Sequence, residues 1–192
     1  MAHKYFSLLS SLPMLQMGEN PAISAEYFLS SCSAFIFKND WDTLCSLRLL
    51  PQKDVCLPDS SLAGKYMHWE SALRNSLVRF RSARFGTDPR TFLRDDGSFE
   101  ADADRVVIRA YAAGSPLERE RILDEARWTK IEELEQGKLF SFDNICAYYL
   151  KLQIVDKWVS RTGEQAGKNL ETASNEVRTA SGQFMNPEPQ KS

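Results

Sequence analysis

Three features of the sequence predict an all-α fold. Apolar residues recur at spacings of three and four along several long stretches, glycines and prolines close those stretches, and no segment alternates apolar and polar residues as a half-buried strand would. The expected architecture is a single helical domain of about six helices over residues 1–160, followed by a polar, partly helical extension over 161–192 that becomes disordered at its end.

The elements follow in chain order. Tyr5 to Ser11 fits a strand or a helix equally well. Ser24 then caps a helix reaching to Phe37, with Glu26 in its positive first turn and Ile23 and Phe28 placed to close a hydrophobic staple. A shorter helix runs from Asp40 through Trp41, Leu44 and Leu47 to Leu50, where Pro51 ends it, and residues 51–63 form a loop. From Ala63 to Phe85, Tyr66, Trp69, Leu73, Leu77 and Phe80 make one face of a long amphipathic helix that Gly86 stops. Asp88-Pro89 restarts a short turn, and an acidic patch follows, with Asp95, Asp96, Glu100, Asp102 and Asp104 around Gly97. A helix over 101–113 ends at Gly114. Ser115-Pro116-Leu117-Glu118 then supplies a cap, a proline at the first helical position and a Glu that completes a capping box, opening a helix to about Gln136.

Ser141 begins the last helix of the body, 142–160. It carries two apolar stripes on nearly opposite sides: Ile145, Tyr148, Leu152, Val155 and Val159, and Ala147, Leu150, Ile154 and Trp158. Either this is the central helix of the domain, the favoured reading, or one stripe meets a partner. Beyond Gly163 only a thin seam of Ala166, Leu170, Ala173, Val177 and Ala180 remains, resembling a weak heptad.

Composition narrows the function classes. The 192 residues carry 24 Lys+Arg against 26 Asp+Glu, a net charge of −2 that argues against a dedicated nucleic-acid or anionic-membrane binder. That balance is a cancellation, because residues 1–94 hold 11 basic and 8 acidic residues (+3) and residues 95–192 hold 13 and 18 (−5). No apolar run approaches the ~20 residues of a membrane-spanning helix. The opening Tyr5-Phe6-Ser7-Leu8-Leu9 is too diluted by Ser10, Ser11 and Pro13 for an export signal. Cys32, Cys45, Cys56 and Cys146 form no Cys-x-x-Cys pair and are read as reduced, buried thiols of a cytoplasmic protein.

No catalytic, cofactor-binding or metal-ligating set emerges. Around Gly64-Lys65 a phosphate loop fails at both ends, with Asp59 where the first glycine belongs and Tyr66 where a hydroxyl is needed. His68 is read as a plain helix residue, and Asp95-Asp96-Gly97 lacks the ligand order of a calcium loop. The strongest charged feature is the arginine series Arg74, Arg79, Arg81, Arg84, Arg90 and Arg94. Glu70 stands four residues before Arg74, a surface helix pair worth about 0.3–0.5 kcal/mol. Intramolecular or inter-subunit salt links are the favoured reading of these arginines, ahead of a solvated face and of RNA binding through arginines interleaved with Phe80 and Phe85.

Several segments resemble a known family. Lys4 to Pro13, Ile23 to Leu29, Trp69-Glu70-Ser71-Ala72-Leu73-Arg74-Asn75, Phe92-Leu93-Arg94, Leu117 to Arg121, Trp128 to Leu134 and Tyr148 to Trp158 look like those of a small uncharacterised bacterial family encoded among the subunits of V/A-type ATPases. That family is in turn distantly similar to the C-type subunit of the V/A-type ATPase (the d-type in the eukaryotic enzyme), an all-helical funnel that couples the central rotor shaft to the membrane ring. The chain is too short for the three helical repeats of that funnel. The resemblance implies a non-catalytic adaptor in or near the central stalk, cytoplasmic and reaching the membrane only through the complex, with the shaft or ring as partner. Arg74, Arg79 and Arg81 are the expected interface residues, with Trp158 as an anchoring aromatic. The alternative is a stand-alone helical protein- or RNA-binding module using the arginine helix at 63–85.

Overall fold

The computed structural model describes residues 5–50, 57–94 and 100–162; among them it contains seven α-helices, one 3-10 turn and no strand. The helices are α1 (Phe6–Ser11), α2 (Ala25–Ser33), α3 (Lys38–Ser46), α4 (Leu62–Phe85), α5 (Ala101–Ala112), α6 (Pro116–Glu135) and α7 (Phe142–Thr162), with the 3-10 turn at Pro89–Thr91. The all-α expectation is met. The ambiguous opening segment is a helix, which makes seven rather than about six. Pro51, Cys56, the acidic Asp95 and Asp96, and the seam from Ala166 to Ala180 lie outside the described residues.

Local chemistry accounts for the boundaries. The hydroxyl oxygens of Ser24, Ser61 and Ser115 accept from the amides of Tyr27, Gly64 and Glu118, each three residues on, and so satisfy donors that have no partner inside the helix. At α7, Asn144 does this work from the other side: its Oδ1 accepts from the amide and the hydroxyl of Ser141. Gly86 closes α4 at φ 67°, a left-handed conformation that suits glycine. Gly64 serves closeness of approach, since a Cβ there would collide with the Pro58 carbonyl.

The second and third helices depart from the sequence reading. α2 stops at Ser33 and α3 starts at Lys38, so Ala34 to Phe37 form the corner between them. α3 ends at Ser46, and Leu47 to Leu50 run on in non-helical conformation, with Leu47 and Leu49 buried and Leu50 exposed. Distant side chains satisfy this backbone. Gln153 of α7 accepts from the Leu49 amide at 2.9 Å and donates to the Leu47 carbonyl at 3.4 Å, while Tyr66 of α4 donates to the Leu49 carbonyl at 3.0 Å. These bonds outweigh the helical periodicity that the leucines share with α3.

α4 and α7 form the middle of the bundle. Leu62, Tyr66, Leu73, Ile145, Leu150, Leu152 and Ile154 are fully buried, each apolar side chain contributing about 1.5–3 kcal/mol. Both stripes of α7 are covered: Ile145, Leu152 and Val155 on one side, Ala147, Leu150 and Ile154 on the other. This makes α7 the central helix. Phe28 of α2 stacks on Tyr148 and Tyr149 with ring centroids 5.2 and 5.5 Å apart, and Ile23 packs against the same core. No helix of the described residues is long and apolar enough to cross a membrane.

Candidate partner interface

The first half of α4 faces inward, and its periodicity carries Glu70 into the core along with Tyr66 and Leu73. Glu70 is fully buried, so its charge must be met inside the protein. Arg127 of α6, itself buried, meets it in a two-pronged pair: Nε to Oε2 at 2.9 Å and Nη2 to Oε1 at 3.0 Å. Arg74 adds a third contact, Nε to Oε1 at 3.2 Å. The remaining prong of Arg127 reaches Asp124 at 2.7 Å, and Asp124, also fully buried, takes Lys157 at 2.8 Å and the Trp158 indole N–H at 2.9 Å, both from α7. Lys157 pairs further with Glu120, near which Arg161 stands at 4.0 Å.

Three helices are thus joined by one cluster in which Glu70, Asp124 and Glu120 balance Arg74, Arg127 and Lys157. Burial opposes the charge on Arg127, but the facing Glu70 carboxylate more than offsets it and raises the guanidinium pKa above its ordinary value. Burial likewise pushes Glu120 up, and the hydrogen bond and charge of Lys157 overcome it, holding the carboxyl below its ordinary value. Tyr66, buried beside Glu70, has its phenol raised well above the usual range and remains a donor. Every charged group of the cluster thus has a partner of opposite sign within it.

The second half of α4 behaves otherwise. Arg79, Arg81 and Arg84 are exposed, as are Phe85 at 75 % and, past Gly86, Phe92 at 65 %, with Arg90 between them. The chain returns beside α4, where Asn75 donates to the Arg94 carbonyl at 3.0 Å and accepts from the Arg94 amide at 2.8 Å. Arg81 donates through Nε to the Tyr111 hydroxyl of α5. The Tyr111 ring lies 4.3 Å from Phe80 and 4.3 Å from the guanidinium carbon of Arg119, which ties α4, α5 and α6 together at this end.

The four sequence-predicted interface residues therefore separate. Arg74 and Trp158 sit in the buried cluster, Arg81 is held by Tyr111, and Arg79 stands at the surface. Intramolecular salt linking, the favoured reading of the arginines, holds for Arg74. Sequence reasoning missed Asp124 and Arg127. It also placed the Glu70–Arg74 pair at the surface, whereas Glu70 is wholly buried. The available clue was a lone acid, Glu70, set within the apolar face Tyr66, Trp69, Leu73.

Elsewhere the chemistry is sparse. Two clefts of about 360 and 350 Å³ flank Trp69, the first lined by Asp102, Arg105, Arg109, Lys130 and Glu133, the second by Asp59, Lys65, His68 and Glu100. In the first, Arg105 pairs with Asp102 at 2.7 Å and Lys130 with Glu133 at 3.3 Å. The Trp69 indole nitrogen has no hydrogen-bond partner among the described residues and is shielded from solvent. Among the described residues no group of three or more His, Cys, Asp or Glu is placed to hold a metal ion. Burial pushes the Cys32 thiol up to about 12 and raises Cys146 as well, the latter with help from Asp143, so neither supplies a thiolate.

Comparison with known proteins adds one finding. Residues 103–172 are similar to a family described as a protein of unknown function (DUF2764). The matched stretch begins in α5, takes in α6 and α7, and passes beyond the described residues. It includes Asp124, Arg127, Lys157 and Trp158, the α6 and α7 side of the buried cluster. No curated protein matches the chain. No solved structure matches it either.

Proposed function

We propose that this chain is a non-catalytic helical adaptor of a bacterial V/A-type ATPase, similar to its funnel-shaped C-type subunit, acting in or near the central rotor stalk in support of ATP-driven proton or sodium transport. The reading places it in the cytoplasm, bound to the central shaft or the membrane ring and reaching the membrane through them. One observation supports the proposal: three of the seven segments that resemble the ATPase-associated family contribute side chains to the buried charge cluster, around Asp124 and Arg127, which lie between two of those segments. Trp69–Asn75 supplies Glu70 and Arg74, Leu117–Arg121 supplies Glu120, and Tyr148–Trp158 supplies Lys157 and Trp158. Those three segments meet in a joint between helices, which suits a part that transmits force. Torque transmission needs broad, slowly released contacts, and a cross-linked three-helix body offers a stiff platform for them.

The test is affinity capture of the tagged full chain from native membranes in gentle detergent. Recovery of shaft or ring subunits of the ATPase is the expected result. A folded, abundant bait that brings down no ATPase component would overturn the proposal. The stand-alone binding module remains a second reading because Arg79 and Arg84 of the arginine helix, and Phe85 at its end, are exposed.

A further inference from the structure

α5 and α6 each turn a stripe of side chains toward a common groove. On α5 the stripe is Asp102, Arg105, Val106 and Arg109. On α6 it is Ala126, Thr129, Lys130 and Glu133, and in both the positions run i, i+3, i+4, i+7, which places them on one face of a helix. Trp69 of α4, only 3 % exposed, lines the same groove from beneath. The groove encloses about 360 Å³, within the range of small-molecule sites.

Donors and acceptors are out of balance there. Asp102 takes Arg105 at 2.7 Å and Glu133 takes Lys130 at 3.3 Å, so both acids of the groove already hold cations. Arg109 has no carboxylate partner among the described residues. The Trp69 indole N–H has no acceptor among them either, although buried tryptophans ordinarily find one. Both groups can only donate. Arg109 alone has a plain account, since it stands in the last turn of α5, where a cation offsets the unpaired carbonyls. That account does nothing for a buried indole.

We infer that the groove between α5 and α6 binds a small organic anion, whose carboxylate or phosphate is taken by Arg109 and the Trp69 indole N–H. The chemistry left over identifies the ligand class. With the acids paired, the one uncompensated charge is a guanidinium, which holds an oxyanion by paired hydrogen bonds. Trp69, Val106 and Ala126 supply apolar wall for the body of the molecule, so an organic anion fits better than a bare inorganic one. Solvent does not reach the indole nitrogen, and an acceptor gains it only when a neighbouring side chain gives way. Lys130 is placed to do so: it lines this groove and the second cleft beside Trp69, and among the described residues its ammonium is tied only by the 3.3 Å contact with Glu133. A ligand site of this kind goes beyond the adaptor reading and stands whether or not the chain serves the ATPase.

Nuclear magnetic resonance of the nitrogen-15-labelled full chain tests it, because each of the four tryptophans gives its own indole N–H signal. The Trp69 signal is the one that Trp69→Phe removes; should that variant fail to fold, Trp41→Phe, Trp128→Phe and Trp158→Phe assign it by elimination. Three probes are titrated: 2-naphthoate, its uncharged relative 2-naphthalenemethanol, and inorganic phosphate. Naphthoate should shift the Trp69 signal saturably, the alcohol should leave it in place, and phosphate should act more weakly than naphthoate. Arg109→Gln, a surface change that should leave the helical circular dichroism intact, should weaken naphthoate about tenfold or more. No shift of the Trp69 signal at millimolar naphthoate overturns the inference, as does a shift of equal affinity in Arg109→Gln. Equal binding of the alcohol would show that the charge is not read, and phosphate as tight as naphthoate that the apolar wall is not used; either result overturns the site as an organic-anion site.

Discussion

In the first half of α4, Glu70 and Arg74 are drawn into the bundle and matched by Arg127 from α6, whereas in the second half Arg79, Arg81 and Arg84 stand at the surface, where Tyr111 takes a hydrogen bond from Arg81. The same helix, with the same residue types, treats charge in two ways. The difference lies in what crosses it. In the first half solvent is excluded and each charge needs a partner; in the second half Arg79, Arg81 and Arg84 reach water, and α5 and α6 meet α4 through Tyr111 and Arg119 instead. Charges in the first region are paired inside the bundle, and those in the second stand at the surface, with Arg81 against Tyr111.

The sharpest way to break this comparison is to strip one charge from the buried region. Glu70→Ala leaves Arg127 charged in the core without its two-pronged partner and should cost about 3–5 kcal/mol in denaturant unfolding. A loss below about 1 kcal/mol would mean that water already reaches the pair. Crowding gives the second test, because the first turn of α4 presses on the Pro58 carbonyl. Gly64→Ala forces backbone apart there and should lower stability by more than about 2 kcal/mol, whereas a substitution at the exposed Arg79 should not. Next comes Trp158→Phe, which removes the indole donor from Asp124 but leaves Lys157 and Arg127 in place. A loss near ~1 kcal/mol is expected in the same assay, and a loss as large as that of Glu70→Ala would show Trp158 to be the keystone instead.

A smaller effect concerns acidity. Glu120 titrates below its ordinary value in the folded protein because Lys157 favours its charged form, so the unfolded chain takes up the proton first as pH falls. Its contribution is therefore present above the ordinary carboxylate pKa and fades as pH drops through the folded value. Glu120→Gln should flatten that part of the stability profile; an unchanged acid limb would count against the Lys157–Glu120 pair. The smallest effect belongs to the second region: Arg79→Ala, Arg84→Ala and Arg90→Ala should each stay within about 0.5 kcal/mol of the parent. Any larger cost would place these arginines among the structural charges.

Much of the frame was legible because it is local. The Ser24 and Ser115 caps, the stop at Gly86 and the two-sided burial of α7 depend on residues a few positions apart. What escaped was long-range. Glu70 and Arg127 lie 57 residues apart, so the sequence displayed only the local Glu70–Arg74 pair and understated it as a surface contact. The early end of α3 had the same cause: Leu47 to Leu50 leave helical conformation because Gln153 and Tyr66, supplied from elsewhere in the chain, satisfy their backbone. Trp158, expected as an anchor for a partner, donates its indole N–H to Asp124 of the same chain, another long-range contact that periodicity does not display.

The adaptor proposal, with the exposed Arg79 as an expected interface residue, is tested most directly by photocrosslinking in native membranes. A photoreactive residue is introduced at position 79 in one variant and at position 121, on the paired surface of α6, in another. The proposal predicts a covalent adduct from position 79 with a shaft or ring component of the ATPase, and none from position 121. Adducts from position 121 alone, or none from position 79 in a folded and abundant protein, would contradict it.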